Sequence, residues 1–276
     1  MREIELGPLR LGARQPLFLI AGPCVIESEA HAVGLAERLA ALTSGLRLPF
    51  VFKASFDKAN RSALSSYRGP GLIEGLRILR AIKARLDLPL LTDVHDVAQV
   101  APAAEVCDIL QVPAFLCRQT DLLLAVGASG RVVNVKKGQF LAPSDMGLIV
   151  EKVRSTGNDR ILLTERGTTF GYQNLVVDLR AIPILRRFGC PVVLDVTHAV
   201  QLPGGGGNRS GGQPEFIETL ARAGAAAGID GLFCEVHEDP PRALSDGANA
   251  LRLDRLPELL SRVMRLSALA REWEEP

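Results

Sequence analysis

Chemistry in this sequence is concentrated where short apolar runs end. The stretch Val51-Phe52-Lys53-Ala54-Ser55-Phe56-Asp57-Lys58-Ala59-Asn60-Arg61-Ser62 begins as a β-type run, then turns into cations, a carboxylate, an amide and hydroxyls with no apolar face to serve. Lysine is scarce: only six of the 32 Lys and Arg side chains are Lys, at 53, 58, 83, 136, 137 and 152. Two of the six fall in this stretch, and Lys136-Lys137 follow another apolar run. An ammonium group is a compact charge with three donors, suited to phosphate or carboxylate. Lys53, Lys58, Arg61, Lys136 and Arg166 are expected to converge on one mouth. In a chain of net charge +1, that set implies a strongly anionic ligand carrying more than one phosphate or carboxylate.

A second set is Cys24, His198, Glu235 and Asp246, one soft donor with several harder ones. Such donors suit Zn²⁺ or Fe²⁺, and oxygen ligands admit Mn²⁺. The four lie far apart in the chain, so spacing alone does not separate a metal site from a small buried thiol and a hydrogen-bonded histidine. Cys107, Cys117, Cys190 and Cys234 read as buried hydrophobes, and strand alternation points Cys234 away from Glu235. His31 falls in a helical stretch and reads as structural, whereas His95, His198 and His237 follow strands. The glycine-rich segment 203–212 could cradle a phosphate, form a mobile lid, or be a plain linker.

These residues must be positioned by the elements that precede them. Short β-rich runs are predicted at 17–21, 49–53, 89–92, 108–112, 131–135, 160–164, 191–195 and 230–235. Helical spacing fills 28–44, 70–86, 96–104, 119–129, 144–154, 175–188, 213–228 and 255–271, with Pro102 interrupting the third helix. Eight βα units with no GxGxxG after the first strand predict an α/β fold, a (β/α)8 TIM barrel, over a doubly wound sheet. Residues 2–6 and 9–11 alternate around Gly7-Pro8, so an N-terminal β-hairpin is expected within residues 1–14. No linker or low-complexity run divides residues 1–276, which read as one barrel domain. In such a barrel the site lies at the carboxyl ends of the strands, where this chain places its Cys, His and Lys residues.

Composition narrows the function. The chain has 276 residues, 47% hydrophobic and 23% charged, with no basic or acidic tail. Small-molecule substrates are therefore expected, with no nucleic acid and no membrane as partner. Five scattered cysteines without CxxC spacing, and a start lacking an apolar signal core, predict a reducing, cytoplasmic setting.

Longer motifs carry a resemblance. Ile20-Ala21-Gly22-Pro23-Cys24-Val25-Ile26-Glu27-Ser28, the stretch from Phe52 to Ser62, Gln111 to Asp121, Asn134-Val135-Lys136-Lys137-Gly138-Gln139-Phe140, and Thr164 to Tyr172 resemble the 3-deoxy-D-manno-octulosonate 8-phosphate synthases. Asp195-Val196-Thr197-His198 and Ala243-Leu244-Ser245-Asp246 fit the same family, so the likeness runs from about residue 17 to 255. It implies a barrel enzyme, usually a homotetramer, that condenses phosphoenolpyruvate with D-arabinose 5-phosphate and water on the way to lipopolysaccharide. The family has metal-dependent members with Cys, and metal-independent members with Asn, at the position of Cys24. Cys24 thus implies a divalent metal (Zn, Fe, Mn or Co) held with His198, Glu235 and Asp246.

By the same matching, Lys53, Lys58, Gln111, Lys136, Arg166 and the backbone of Ala114 would hold phosphoenolpyruvate. Asn60, Arg61, Ser62, Asp93 and Phe115 would hold the pentose phosphate, with Arg118 reaching a neighbouring subunit's site. Lys53, Lys58, Lys136, Asp93 and His198 are the expected catalytic set. The nearest alternative is the heptulosonate 7-phosphate synthase, which uses a four-carbon aldehyde phosphate and typically reads Lys-Pro-Arg-Thr-Ser where this chain has Lys58-Ala59-Asn60-Arg61-Ser62. A barrel that only senses a phosphorylated metabolite is the alternative from another class.

Overall fold

The computed structural model describes residues 2–12, 15–61, 63–205 and 211–273. Eight parallel strands pair in sequence order: β1 (Phe18–Gly22), β2 (Phe50–Lys53), β3 (Leu90–Asp93), β4 (Ile109–Val112), β5 (Val132–Lys136), β6 (Ile161–Glu165), β7 (Val192–Asp195) and β8 (Gly231–His237). Pairing of β8 with both β7 and β1 closes the barrel. Between and after them run α1 (Glu29–Gly45), α2 (Leu72–Leu86), α3 (Val97–Val106), α4 (Thr120–Ala128), α5 (Met146–Arg154), α6 (Ala181–Arg186), α7 (Ile217–Ala226) and α8 (Leu256–Glu272). Local chemistry sets several boundaries. Ser28 Oγ accepts the His31 amide to cap α1, and Asp96 accepts the Ala98 amide to cap α3. Pro102 is tolerated inside α3.

Strand alternation sorts the core into two compartments. Leu19, Phe52, Leu90, Leu110, Val133, Leu163, Leu194 and Cys234 face outward into the layer covered by the helices. Phe18, Ile20, Val51, Leu91, Ile109, Val132, Leu162, Val193 and Phe233 fill the barrel interior. The N-terminal hairpin, Glu3–Leu6 paired antiparallel with Leu9–Gly12, adds Ile4, Leu6 and Leu11 to that interior cluster and closes the amino-terminal mouth. Its last described residue fits closely: a Cβ on Gly12 would lie 2.3 Å from Pro191, at the start of β7. Residues 13 and 14, within the expected hairpin segment, lie outside the described residues.

The sixth helix differs from its sequence expectation of 175–188. Residues 168–169 and 175–176 instead form a small antiparallel pair, and α6 begins only at Ala181. Gly171 and Gln173 take positive φ (74° and 53°), which lets the chain reverse tightly so that Leu175 and Val176 pair back on the Thr residues.

Gly22 marks the closest approach of β1 to β2, where a Cβ would stand 1.9 Å from the Lys53 carbonyl oxygen. Backbone on both sides cannot yield. Gly22→Ala is therefore expected to destabilise the protein by at least about 3 kcal/mol, the upper range for overpacking. That corresponds to a thermal midpoint lower by roughly 6–12 °C for a chain this size. An unchanged midpoint in differential scanning fluorimetry would contradict the close approach.

Candidate active site

Beyond the interior apolar residues of β2 to β8, the same inward register becomes polar. Val51 leads to Lys53, Leu91 to Asp93, Ile109 to Gln111, Val132 to Asn134 and Lys136, Leu162 to Thr164 and Arg166, Val193 to Asp195, and Phe233 to Glu235. All of these polar residues are buried. Below the cations a neutral belt joins three strands: Thr164 Oγ1 donates to Asn134 Oδ1 (2.7 Å), and Asn134 Nδ2 donates to Gln111 Oε1 (2.9 Å). Above lies a cavity of about 580 Å³ at the carboxyl end of the barrel, within the usual size for a small-molecule site.

Lys53, Lys58, Arg61, Lys136 and Arg166 all line this cavity, with Asn60, Asp93, Gln111, Ala114, Phe115, His198, Glu235 and Asp246. Glu235 is fully buried and accepts from Lys53 Nζ at 2.7 Å, with Lys58 Nζ at 3.8 Å. Burial raises the Glu235 carboxyl, but His198, Lys53 and Lys58 outweigh it and hold it at about 2. Burial likewise opposes ionisation of Asp246, yet His198, Lys58 and Arg61 keep it well below the carboxylate range. Lys58 loses stability as a cation through burial, but Cys24, Glu235, Asp93 and Asp246 raise it well above an ordinary lysine. Arg166 donates to Gln201 Oε1 at 2.6 Å, while its buried Nη1 has no partner among the described residues. A buried guanidinium donor without an acceptor is costly unless an anion arrives to take it.

The four expected metal donors meet at one edge of the cavity. Cys24 Sγ lies 3.3 Å from Asp246 Oδ2, and His198 Nε2 lies 3.5 Å from Glu235 Oε2 and 3.7 Å from Asp246 Oδ2. Among the described residues Glu235 Oε2 is buried without a hydrogen-bond partner, and Cys24, Glu235 and Asp246 offer ligand atoms within 4.8 Å of one another. Burial, with Asp246 and Glu235 alongside, pushes the Cys24 thiol well up. A dication would reverse that balance by deprotonating the thiol and accepting the orphan carboxylate oxygen, so this donor set fits a metal. Asp246 holds a left-handed backbone (φ 51°), a conformation disfavoured for non-glycine residues and frequent at functional sites.

Among the described residues one other group has comparable spacing: Glu27, His31 and His237. There His237 Nδ1 accepts the Asp239 amide at 2.9 Å, which puts the ring proton on Nε2, facing Glu27 Oε1 at 3.5 Å. A protonated Nε2 has no lone pair for a cation.

The paired lysines part company. Lys136 enters the barrel, 3.7 Å from the Phe233 ring centroid, whereas Lys137 turns outward and donates to Gly138 O, Leu141 O and Thr168 Oγ1. Arg61 donates to Tyr67 O and Leu244 O and lies 3.8 Å from Asp246. Arg118 is exposed and does not line its own chain's cavity. Ser62 and residues 206–210 of the glycine-rich segment lie outside the described residues; its flanks, Gln201–Leu202 and Gly211–Gly212, form a short antiparallel ladder. His95, expected at a strand end, lines the cavity too, as do Gln139, Gln201 and Ser245, to which sequence reasoning assigned no role. His95 pairs with Asp93 (3.1 Å), and Ser245 Oγ lies 2.8 Å from Cys24 Sγ. Their signal was position: each flanks a residue already singled out.

The remaining cysteines are buried, and burial pushes Cys107 up to about 12 and Cys190 to about 11. With thiolate absent at neutral pH, Cys107, Cys117, Cys190 and Cys234 are expected to resist a chromogenic disulfide reagent until guanidinium unfolds the chain. Rapid native-state reaction of two or more thiols would contradict this.

A closed eightfold barrel with a cationic, carboxylate-lined cavity at its carboxyl face has the architecture of the (β/α)8 barrel enzymes and a site suited to anionic ligands. The DAHP synthetase I family model matches residues 3–272, and the chain belongs to that family. Similar relatives named 2-dehydro-3-deoxyphosphooctonate aldolase come from Geobacter sulfurreducens (59% identical over 98% of this chain and 99% of the relative) and Pelobacter propionicus (58%, over the same shares). Another, from Syntrophotalea carbinolica, is 59% identical over 97% of each chain.

Proposed function

We propose that this chain condenses phosphoenolpyruvate with D-arabinose 5-phosphate and water, giving 3-deoxy-D-manno-octulosonate 8-phosphate and inorganic phosphate. The observation that carries the reading is the meeting of five cations around a single cavity, one with a buried donor unpartnered among the described residues. The chain's 59% identity to a 2-dehydro-3-deoxyphosphooctonate aldolase selects this reaction within the family. In this reading residues 1–276 act as one catalytic unit in the cytoplasm. The assembly is a homotetramer, in which Arg118 serves a neighbour's pentose phosphate.

Lys53, Lys58, Lys136 and Arg166, with Gln111 and the Ala114 backbone, hold and neutralise phosphoenolpyruvate. Asn60, Arg61, Ser62, Asp93 and Phe115 hold the open-chain pentose so that its aldehyde carbon faces C3 of the enol. C3 forms the new carbon–carbon bond, water adds to C2 as positive charge develops there, and the C2–O bond then breaks to release phosphate. Cations fixed in a buried site stabilise the anionic groups through this change without reorganising. Cys24, His198, Glu235 and Asp246 would hold a divalent metal, Zn, Fe, Mn or Co, which when bound supplies Lewis-acid orientation of the aldehyde.

Phosphoenolpyruvate labelled with ¹⁸O at the bridging oxygen tests the bond that breaks. The released phosphate should carry the label and appear only with the pentose phosphate present. Unlabelled phosphate would contradict C2–O cleavage, and label release without pentose would contradict the condensation.

A further inference from the structure

Asp195, at the end of β7, is fully buried and faces the barrel interior below the cavity. Its two oxygens divide their work. Oδ1 accepts from Thr197 N (3.2 Å), Thr197 Oγ1 (3.0 Å) and His198 N (2.9 Å), which folds the turn after the strand. Oδ2 accepts from His198 Nδ1 at 2.7 Å and from Lys136 Nζ. Thr197 Oγ1 in turn accepts the Glu235 amide at 3.2 Å, tying this turn to β8.

We infer that Asp195 is a positioning residue that fixes, through one oxygen, both the imidazole tautomer of His198 and the seat of Lys136. A carboxylate at Nδ1 holds a proton there, so Nε2, 3.5 and 3.7 Å from Glu235 Oε2 and Asp246 Oδ2, is the nitrogen left to ligate a metal. The same oxygen fixes Lys136 Nζ over the Phe233 ring, on the side where phosphoenolpyruvate would lie. One buried carboxylate thus couples the metal edge of the cavity to its anion edge. This inference rests on the metal reading given above.

Asp195→Asn keeps the shape but presents an N–H₂ that cannot accept from Nδ1–H, so His198 moves its proton to Nε2 and loses the lone pair. Zn²⁺ affinity, measured on the full chain by competition with a chromogenic chelator, is expected to fall about 10–100-fold. The KM for phosphoenolpyruvate is expected to rise. Thr197→Val, which removes the hydroxyl's bonds to Oδ1 and to the Glu235 amide but none on the Oδ2 side, should leave Zn²⁺ affinity within threefold of wild type. In the Zn²⁺-loaded wild-type protein, ¹⁵N-resolved spectra should show a protected His198 Nδ1–H. That measurement decides even where Asp195→Asn does not fold. Unchanged affinity in Asp195→Asn, an equal loss in Thr197→Val, or a wild-type His198 protonated at Nε2 would overturn the inference while leaving the metal reading standing. A wild-type chain that binds no Zn²⁺ would overturn both.

Discussion

Cys24→Asn should lose bound divalent metal while phosphate release persists and becomes indifferent to chelators. Cys24 is the one soft donor of its set, 6% exposed, with Ser245 Oγ at 2.8 Å and Asp246 Oδ2 at 3.3 Å. Its thiol is held protonated by burial and by Asp246 and Glu235, so only a cation among these groups would make it a ligand. An asparagine of similar size brings a neutral amide that can donate to Asp246 and accept from Ser245, filling the same place without a charge. Metal affinity is expected to fall by more than about 100-fold, beyond what changes outside the ligand set produce. Inductively coupled plasma analysis of purified protein and chelator titration of activity check this. Unchanged metal content would remove Cys24 from the ligand set, and loss of all activity with the fold intact would make the metal chemically indispensable.

Lys53→Met is expected to damage both stability and catalysis. The ammonium is 1% exposed and donates to Glu235 Oε1 (2.7 Å) and to the Cys24 carbonyl (2.8 Å). Methionine preserves the length but strands the buried Glu235 Oε1, with Lys58 at 3.8 Å as the nearest remaining lysine. Removing one partner of a buried pair typically costs about 3–5 kcal/mol, or a midpoint lower by roughly 6–20 °C in a chain of this size. Loss of a preorganised cation from the anion site should also lower kcat/KM for phosphoenolpyruvate by about 10²–10³. Adding Glu235→Gln to Lys53→Met should recover part of the midpoint, because it removes the stranded charge. A midpoint within 2 °C of wild type for the single variant would contradict the burial of this pair.

Which residues end strands was legible from the sequence; which way they face was not. Every barrel strand is buried on both faces, so the apolar runs carry no alternation to read. Composition along the strand therefore does not tell Lys136 from Lys137; the inward register of Val132 and Asn134 separates them. Asp195 was visible as a strand-end carboxylate, but its tie to Lys136 crosses 59 residues and needs the closed barrel to appear. Conversely, Cys234 was read correctly as facing away from Glu235, because its place in a strand of known phase was enough. The hairpin was predicted from alternation around Gly7-Pro8, whereas its work as the plug of the barrel floor depends on contacts with β7 remote in sequence. Helix six was overextended because Leu175-Val176 fits both helical and strand spacing, and the Gly171–Gln173 reversal that decides between them is a backbone property.

Phosphate release from phosphoenolpyruvate, measured with arabinose 5-phosphate or erythrose 4-phosphate as co-substrate and each with and without chelator, bears most directly on the function proposed here. Release with the pentose only, abolished by chelator and restored by added divalent metal, is the expected result. Preference for erythrose 4-phosphate would contradict the substrate reading of Asn60 and Arg61. Pentose-dependent release indifferent to chelator would contradict the role given to Cys24, His198, Glu235 and Asp246.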